Sequence, residues 1–282
     1  MQKRLGTRIN LLAERSNRWR KEQLLRQEAA AKKAAQVVEP TGRMIEGIRK
    51  GDIDAVKRAL EEKVPANVED EEMMPVAMIA IEKHYNAIAK LLLSQEAEHD
   101  LGLMMTTAIC YKNKEMVYFL IEHGADLNNQ TFPALNDALK IGDYKLAKFL
   151  ISKGAKGKIP GLRITPPFFA LAMGATDAGI NNSLRKDYTI DQKITDACDI
   201  IEILVKEGLD VNEQDYLGGR TALAVLLKGI EKDNFELIDK IWHALKSHGA
   251  EFVDPHNLIQ DPSKEFENKM AACRNEAGKK QQ

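Results

Sequence analysis

The chain has 282 residues, 41 Lys and Arg against 42 Asp and Glu, and 44% apolar residues including aromatics. That content supports a sizeable core in one long or two ordinary domains. A net charge of −1 excludes both a globally basic nucleic-acid coat and a globally acidic disordered chain.

The charge is unevenly placed. Residues 1–38 hold ten basic side chains against three acids, or +7, which leaves −8 on the remainder. From Asn10 to Val38 there is no Gly or Pro, and the alanine-rich run near Glu28 favours one long helix. Pro40-Thr41-Gly42 is expected to end this arm. Arg15, Arg18, Trp19 and Arg20 are its candidate contacts, to an acidic protein or to RNA phosphates. The alternative is that the arm lies on the acidic remainder of its own chain.

No apolar run approaches the ~20 residues of a spanning helix, and no secretory leader is legible at Met1-Gln2-Lys3-Arg4. The three cysteines, Cys110, Cys198 and Cys273, form no paired spacing. Together these point to an intracellular, cytoplasmic protein. The Arg-rich first 21 residues, with Glu14 as their one acid, keep mitochondrial import as an alternative.

From Arg43 onward the sequence repeats itself. Asn113 to Asn128 reads as an apolar helix followed by Gly124-Ala125-Asp126-Leu127-Asn128. Gly142 to Gly154, Cys198 to Asn212 and Asn234 to Ala250 follow the same plan, and two worn copies precede them at Gly51 to Lys63 and His84 to Glu96. The repeat-ending positions are 63, 96, 124, 154, 208 and 249. Four of them are glycine, where a left-handed helix cap is expected. Val117, Leu120 and Ile121 form a stripe that one helix pair cannot cover alone, so the units must stack on one another.

A period near 33 with such an ending is similar to the ankyrin repeat. Thr221-Ala222-Leu223-Ala224 and Thr165-Pro166-Pro167-Phe168 stand where that family has Thr-Pro-Leu-His, although the histidine is missing. The resemblance covers about six divergent repeats over residues 43–257. It implies an all-α ankyrin-repeat solenoid of stacked helix-turn-helix units, here with a long N-terminal helix. The expected domains are the arm at 1–40, the array at 41–257 and a polar tail at 258–282 with a short helix near Ser263 to Met270. The gap of 54 residues between positions 154 and 208 places an inserted loop near 174–195.

Chemistry is sparse. There is no phosphate-binding loop, no nucleophile elbow and no His/Cys metal spacing, so no catalytic, cofactor or metal residue is assigned. The expected function is that of a non-catalytic adaptor. As the resemblance implies, the array would bind a protein through its concave loop face, with the basic arm as a second contact. Asn129, Gln130, Phe132, Lys158, Arg163, Asp215 and Tyr216 are the candidate loop contacts, with Phe132 and Tyr216 as the aromatic anchors. The alternative for either aromatic is a place inside its own repeat interface. The alternative for the protein is a constitutive structural subunit of a large ribonucleoprotein or organellar assembly, anchored by the arm.

Overall fold

The computed structural model describes residues 38–159, 165–176, 188–231, 234–256 and 259–278. Arg15, Arg18, Trp19, Arg20 and Arg163 lie outside these residues, as does all of the arm before Val38. The described residues form thirteen α-helices. They divide into two compact units, 38–100 with 113–119, and 101–112 with the described residues from 120 on.

The first unit contains α1 (Val38–Lys50), α2 (Ile53–Glu61), α3 (Val76–Glu82) and α4 (Asn86–Leu93). Pro40 and Gly42 lie inside α1, which is described from Val38 on. A first-turn proline breaks no intrahelical hydrogen bond, because its N–H would have no carbonyl to reach. Helix α1 packs on α2 and α3, and α4 packs on the same two. Met44, Ile48, Val56, Val76, Ile81 and Leu92 are fully buried between them. The charged face of α1 is tied down as well: Arg43 pairs with Glu62, and Arg49 with both Asp70 and Glu71.

The second unit contains α5 (Leu101–Cys110), and α6 (Lys114–Glu122) runs across the division. It continues with α7 (Ala134–Lys140), α8 (Tyr144–Ser152), α9 (Pro167–Thr176) and α10 (Ile190–Lys206), then α11 (Ala222–Gly229), α12 (Phe235–Ser247) and α13 (Pro262–Gly278). Helices α5, α7, α9 and α11 pack in sequence as one layer, and α8, α10 and α12 as a second. This is the packing of an all-α solenoid of helix pairs. Tyr144, fully buried, donates from its hydroxyl to the Leu171 carbonyl at 3.0 Å, and burial pushes its ionisation well up.

Two turn devices repeat. Between pairs, Lys63, Gly124, Gly154, Gly208 and Gly249 all have positive φ, from +68° to +97°. The following N–H reaches back five residues, as from Ala125 to Leu120 and from Val64 to Ala59. That is the Schellman closure of a helix C-terminus. Glu96 departs from the expectation: its turn is closed by bonds from Ser94 to Lys90 and from Gln95 to Leu92. Within pairs, Gly51, His84, Lys112 and Gly142 adopt the left-handed region too. Asp52, Asn113 and Asp143 follow them and cap the next helix through side-chain oxygens.

The region near 174–195 is only partly loop. Helix α9 continues to Thr176, and α10 starts at Ile190 behind a Thr189–Gln192 capping box. At 17 residues α10 is nearly twice the length of the nine-residue α8, so part of the extra sequence extends a helix. Residues 177–187 lie outside the described residues. Helix α13 is also longer than the short segment expected from the sequence.

Candidate functional site

Side-chain amides link the turns between helix pairs. The Asn128 amide donates to the Gly154 carbonyl at 3.0 Å, and its oxygen accepts the Lys156 N–H at 2.8 Å. Asn212 repeats this with Gly249 and Glu251, at 3.1 and 2.7 Å. Asn67 donates to the Glu98 carbonyl in the first unit. These asparagines follow the repeat endings at 63, 124 and 208 and tie each of those turns to the next one.

On that rigid base the candidate contacts separate into exposed and structural residues. Phe132 is only 8% exposed, which corrects its assignment as a protruding anchor. The Asn129 side chain turns inward and accepts the N–H groups of Thr131 and Phe132, so it shapes the turn and is only half-exposed. Gln130 and Lys158 are exposed. Asp215 is a second correction. At 7% exposure it accepts the Arg220 N–H at 2.7 Å and the Arg220 guanidinium at 3.3 Å. The backbone closes the same hairpin, through Asp215 N–H to Arg220 and Gly219 N–H to Asp215. A buried carboxylate needs such partners, and here they make a brace. The Arg220 guanidinium also lies 5.5 Å from the Phe169 ring centroid.

The brace presents Tyr216, 56% exposed, and Leu217, 67% exposed, at the hairpin tip. Tyr216 is thus an accessible candidate, and Leu217 is a neighbour that the aromatic-based reading missed. Its signal was its place in Tyr216-Leu217-Gly218-Gly219, where a leucine followed by two glycines has no helix face to join. The next loop supports the hairpin from behind. Thr221 N–H donates to the Val253 carbonyl, and the Thr221 hydroxyl donates to the Glu251 carbonyl at 2.7 Å.

A family description, Ankyrin repeats (3 copies), matches residues 78–160. A crystal structure of an ankyrin repeat domain from Acinetobacter baumannii AYE is similar at a TM-score of 0.52 and 18% identity, covering 74% of this chain and 98% of that one. Residues 78–160 are ankyrin repeats, and the chain shares the fold of an ankyrin repeat domain. A comparison with curated proteins returned no match. Ankyrin repeats generally mediate protein–protein interaction, and their fold is typically a non-catalytic module.

Two other surfaces of the ankyrin units are internally satisfied. The acidic loop Glu69-Asp70-Glu71-Glu72 is a tight hairpin in which Asp70 accepts the N–H groups of Glu72 and Met74, while Arg49 pairs with Asp70 and Glu71. An open groove of about 490 Å³ lies between α8 and α10, lined by Lys145, Lys148, Tyr188, Asp191 and Asp196 among others. Its central groups bind one another: Lys148 contacts Asp196 and Asp199 at 2.8 and 2.7 Å, and the Tyr188 hydroxyl donates to Asp196 at 2.8 Å. Hydrogen bonds to those two carboxylates hold the Lys148 ammonium above its ordinary range.

Among the described residues no cluster could hold a metal ion, and no helix is long and apolar enough to cross a membrane. The three thiols are half-buried, and burial pushes that of Cys198 up, away from the reactive thiolate. His248, just after α12, faces Glu202 of α10 at 2.7 Å.

Proposed function

We propose that this ankyrin-repeat protein is a non-catalytic adaptor in the intracellular space that binds a protein partner through its loop ends. Tyr216 and Leu217 are the anchors of that contact. The supporting observation is the exposed Tyr216–Leu217 pair on a hairpin whose geometry is set by the buried Asp215–Arg220 brace. Apolar area held rigid in advance loses little freedom on binding, so a small contact of this kind can dominate an interface. Gln130 and Lys158 belong to its polar rim. The basic arm, through Arg15, Arg18, Trp19 and Arg20, supplies a second contact whose charge suits an acidic partner.

The test is affinity capture from the native source, comparing the full chain with two variants of it. One replaces Tyr216 and Leu217 by Ser; the other replaces Arg15, Arg18 and Arg20 by Glu. Loss of the same proteins from the first variant supports the loop-end anchor. Capture that depends solely on the arm, or that vanishes on nuclease treatment, refutes the adaptor and favours a subunit anchored in a nucleoprotein assembly.

A further inference from the structure

The hairpin that carries Tyr216 and Leu217 is electrically lopsided. Two cations beside it are engaged: Arg220 with Asp215, and Lys228 with the fully buried Asp254 carboxylate at 2.5 Å, while Lys206 and Lys246 stand exposed at the preceding helix ends. Among the described residues, Asp210, Glu213 and Glu251 form no ion pair. The Asp210 carboxylate accepts the Asn212 N–H at 2.8 Å, and Asp210, Glu213 and Glu251 are all exposed. The Asn212 side-chain oxygen accepts the Glu251 N–H, which sets the Glu251 backbone beside the turn that carries Asp210 and Glu213. One turn earlier the sign reverses, with Lys153, Lys156 and Lys158 all exposed. Those two turns are close neighbours, since a Cβ on Gly157 would come within 2.6 Å of the Leu209 side chain.

We infer that the occupant of the Tyr216–Leu217 tip is a basic peptide segment of a partner protein with an apolar anchor residue. This rests on the loop-end reading above and narrows it. The apolar pair supplies the desolvated centre, and the three carboxylates form a rim that attracts Lys or Arg and repels Asp or Glu. Rim charges of this kind act mainly on partner choice and association rate. Long basic side chains also suit the geometry, because their alkyl stems can cover Leu217 while their heads reach the carboxylates. The lysines of the preceding turn exclude an extended continuation of the same basic run, so the basic stretch ends near Asp210.

The experiment pans the full chain against two phage-displayed 12-residue peptide libraries with the same apolar content, one enriched in Lys and Arg and the other in Asp and Glu. Affinities of the selected synthetic peptides are then measured at low and moderate salt. The expected result is selection from the basic library, with affinity lowered about tenfold or more by Tyr216→Ser with Leu217→Ser. Glu213→Gln with Glu251→Gln should lower it about three- to tenfold and flatten its salt dependence. Circular dichroism and melting of each variant confirm that these exposed changes leave the fold intact. Selection of acidic or neutral peptides, or indifference to the Glu213 and Glu251 changes, overturns the basic class. The loop-end anchor still stands if the Tyr216 and Leu217 changes remain damaging. Indifference to Tyr216 and Leu217, or selection of no peptide from either library, overturns both.

Discussion

Trp242 and Phe266 lie face to face, with ring centroids 4.1 Å apart and planes 11° from parallel. Trp242 belongs to α12 and Phe266 to α13, so the stack joins the last helix of the array to the tail. Met270 is fully buried beside it on α13, and Lys269 donates to the Leu227 carbonyl at 3.0 Å. Helix α13 therefore covers the apolar end that a stacked array otherwise exposes. Phe266→Ala should lower stability by about 3–5 kcal/mol. It should also shift Trp242 emission to longer wavelength, because the indole becomes wet. Urea unfolding followed by fluorescence measures both, and an unchanged midpoint would show that α13 is dispensable.

A different closeness governs the layer of α5, α7, α9 and α11. A Cβ on Gly174 would lie 2.0 Å from the Leu139 carbonyl oxygen and 2.8 Å from the Gly142 nitrogen. Both obstacles are backbone, which cannot rotate aside as a side chain can. Gly174→Ala should therefore cost about 3 kcal/mol or more. A melting temperature equal to that of the parent would mean that α7 and α9 do not approach this closely.

Much of this was legible in the sequence because it is written locally. Apolar spacing marked Leu120 and its stripe, and glycine marked the helix ends at 124, 154, 208 and 249. The failures share a cause, which is that they depend on partners distant in sequence or on backbone context. Phe132 and Tyr216 look alike as loop aromatics, yet one is buried and the other is exposed at the tip of a braced hairpin. Asp215 reads as an exposed acid until Arg220 is seen closing the hairpin around it. Lys63 adopts a glycine conformation that its own identity disfavours. The length of α13 was obscured by its polar composition, since only Phe266 and Met270 are fully buried.

Leu120 provides the plainest test of the core. It is fully buried on α6, and its carbonyl also accepts the Ala125 N–H that closes the helix. Leu120→Ala removes the side chain without touching that bond. The expected loss is about 2–5 kcal/mol, depending on how far the neighbours collapse. Chemical denaturation of the two proteins measures it.

Lys63 and Gly124 make a reciprocal pair. Both close a helix with the same hydrogen bonds, at φ +68° and +83°, but Lys63 bears the steric penalty of a Cβ. Lys63→Gly should stabilise the protein by about 0.5–1 kcal/mol, after the greater freedom of glycine in the unfolded chain is subtracted. Gly124→Ala should destabilise by about 1 kcal/mol. Nothing lies within 4 Å of a Cβ built there, so the loss would report backbone strain alone. Opposite signs in the two melting shifts are the expected result; equal signs would refute a common cap.

Asp254 sets an acid limit on the last loop. Burial pushes its carboxyl up, but Lys228 Nζ at 2.5 Å and the His256 N–H outweigh this and hold it below the ordinary carboxylate range. A folded-state pKa below the unfolded one means that the ionised form favours folding. That stabilisation is complete above the unfolded value of about 3.9 and is lost as pH falls through the folded value. Asp254→Asn keeps an acceptor for His256 but removes the charge opposite Lys228. At neutral pH the variant should be less stable by about 1–3 kcal/mol. The difference should shrink steadily below about pH 4, because acid then neutralises Asp254 in the parent as well. Urea midpoints from pH 7 to pH 2.5 provide the check, and a difference that stays constant into acid would show that the Lys228 pairing does not hold the carboxylate ionised.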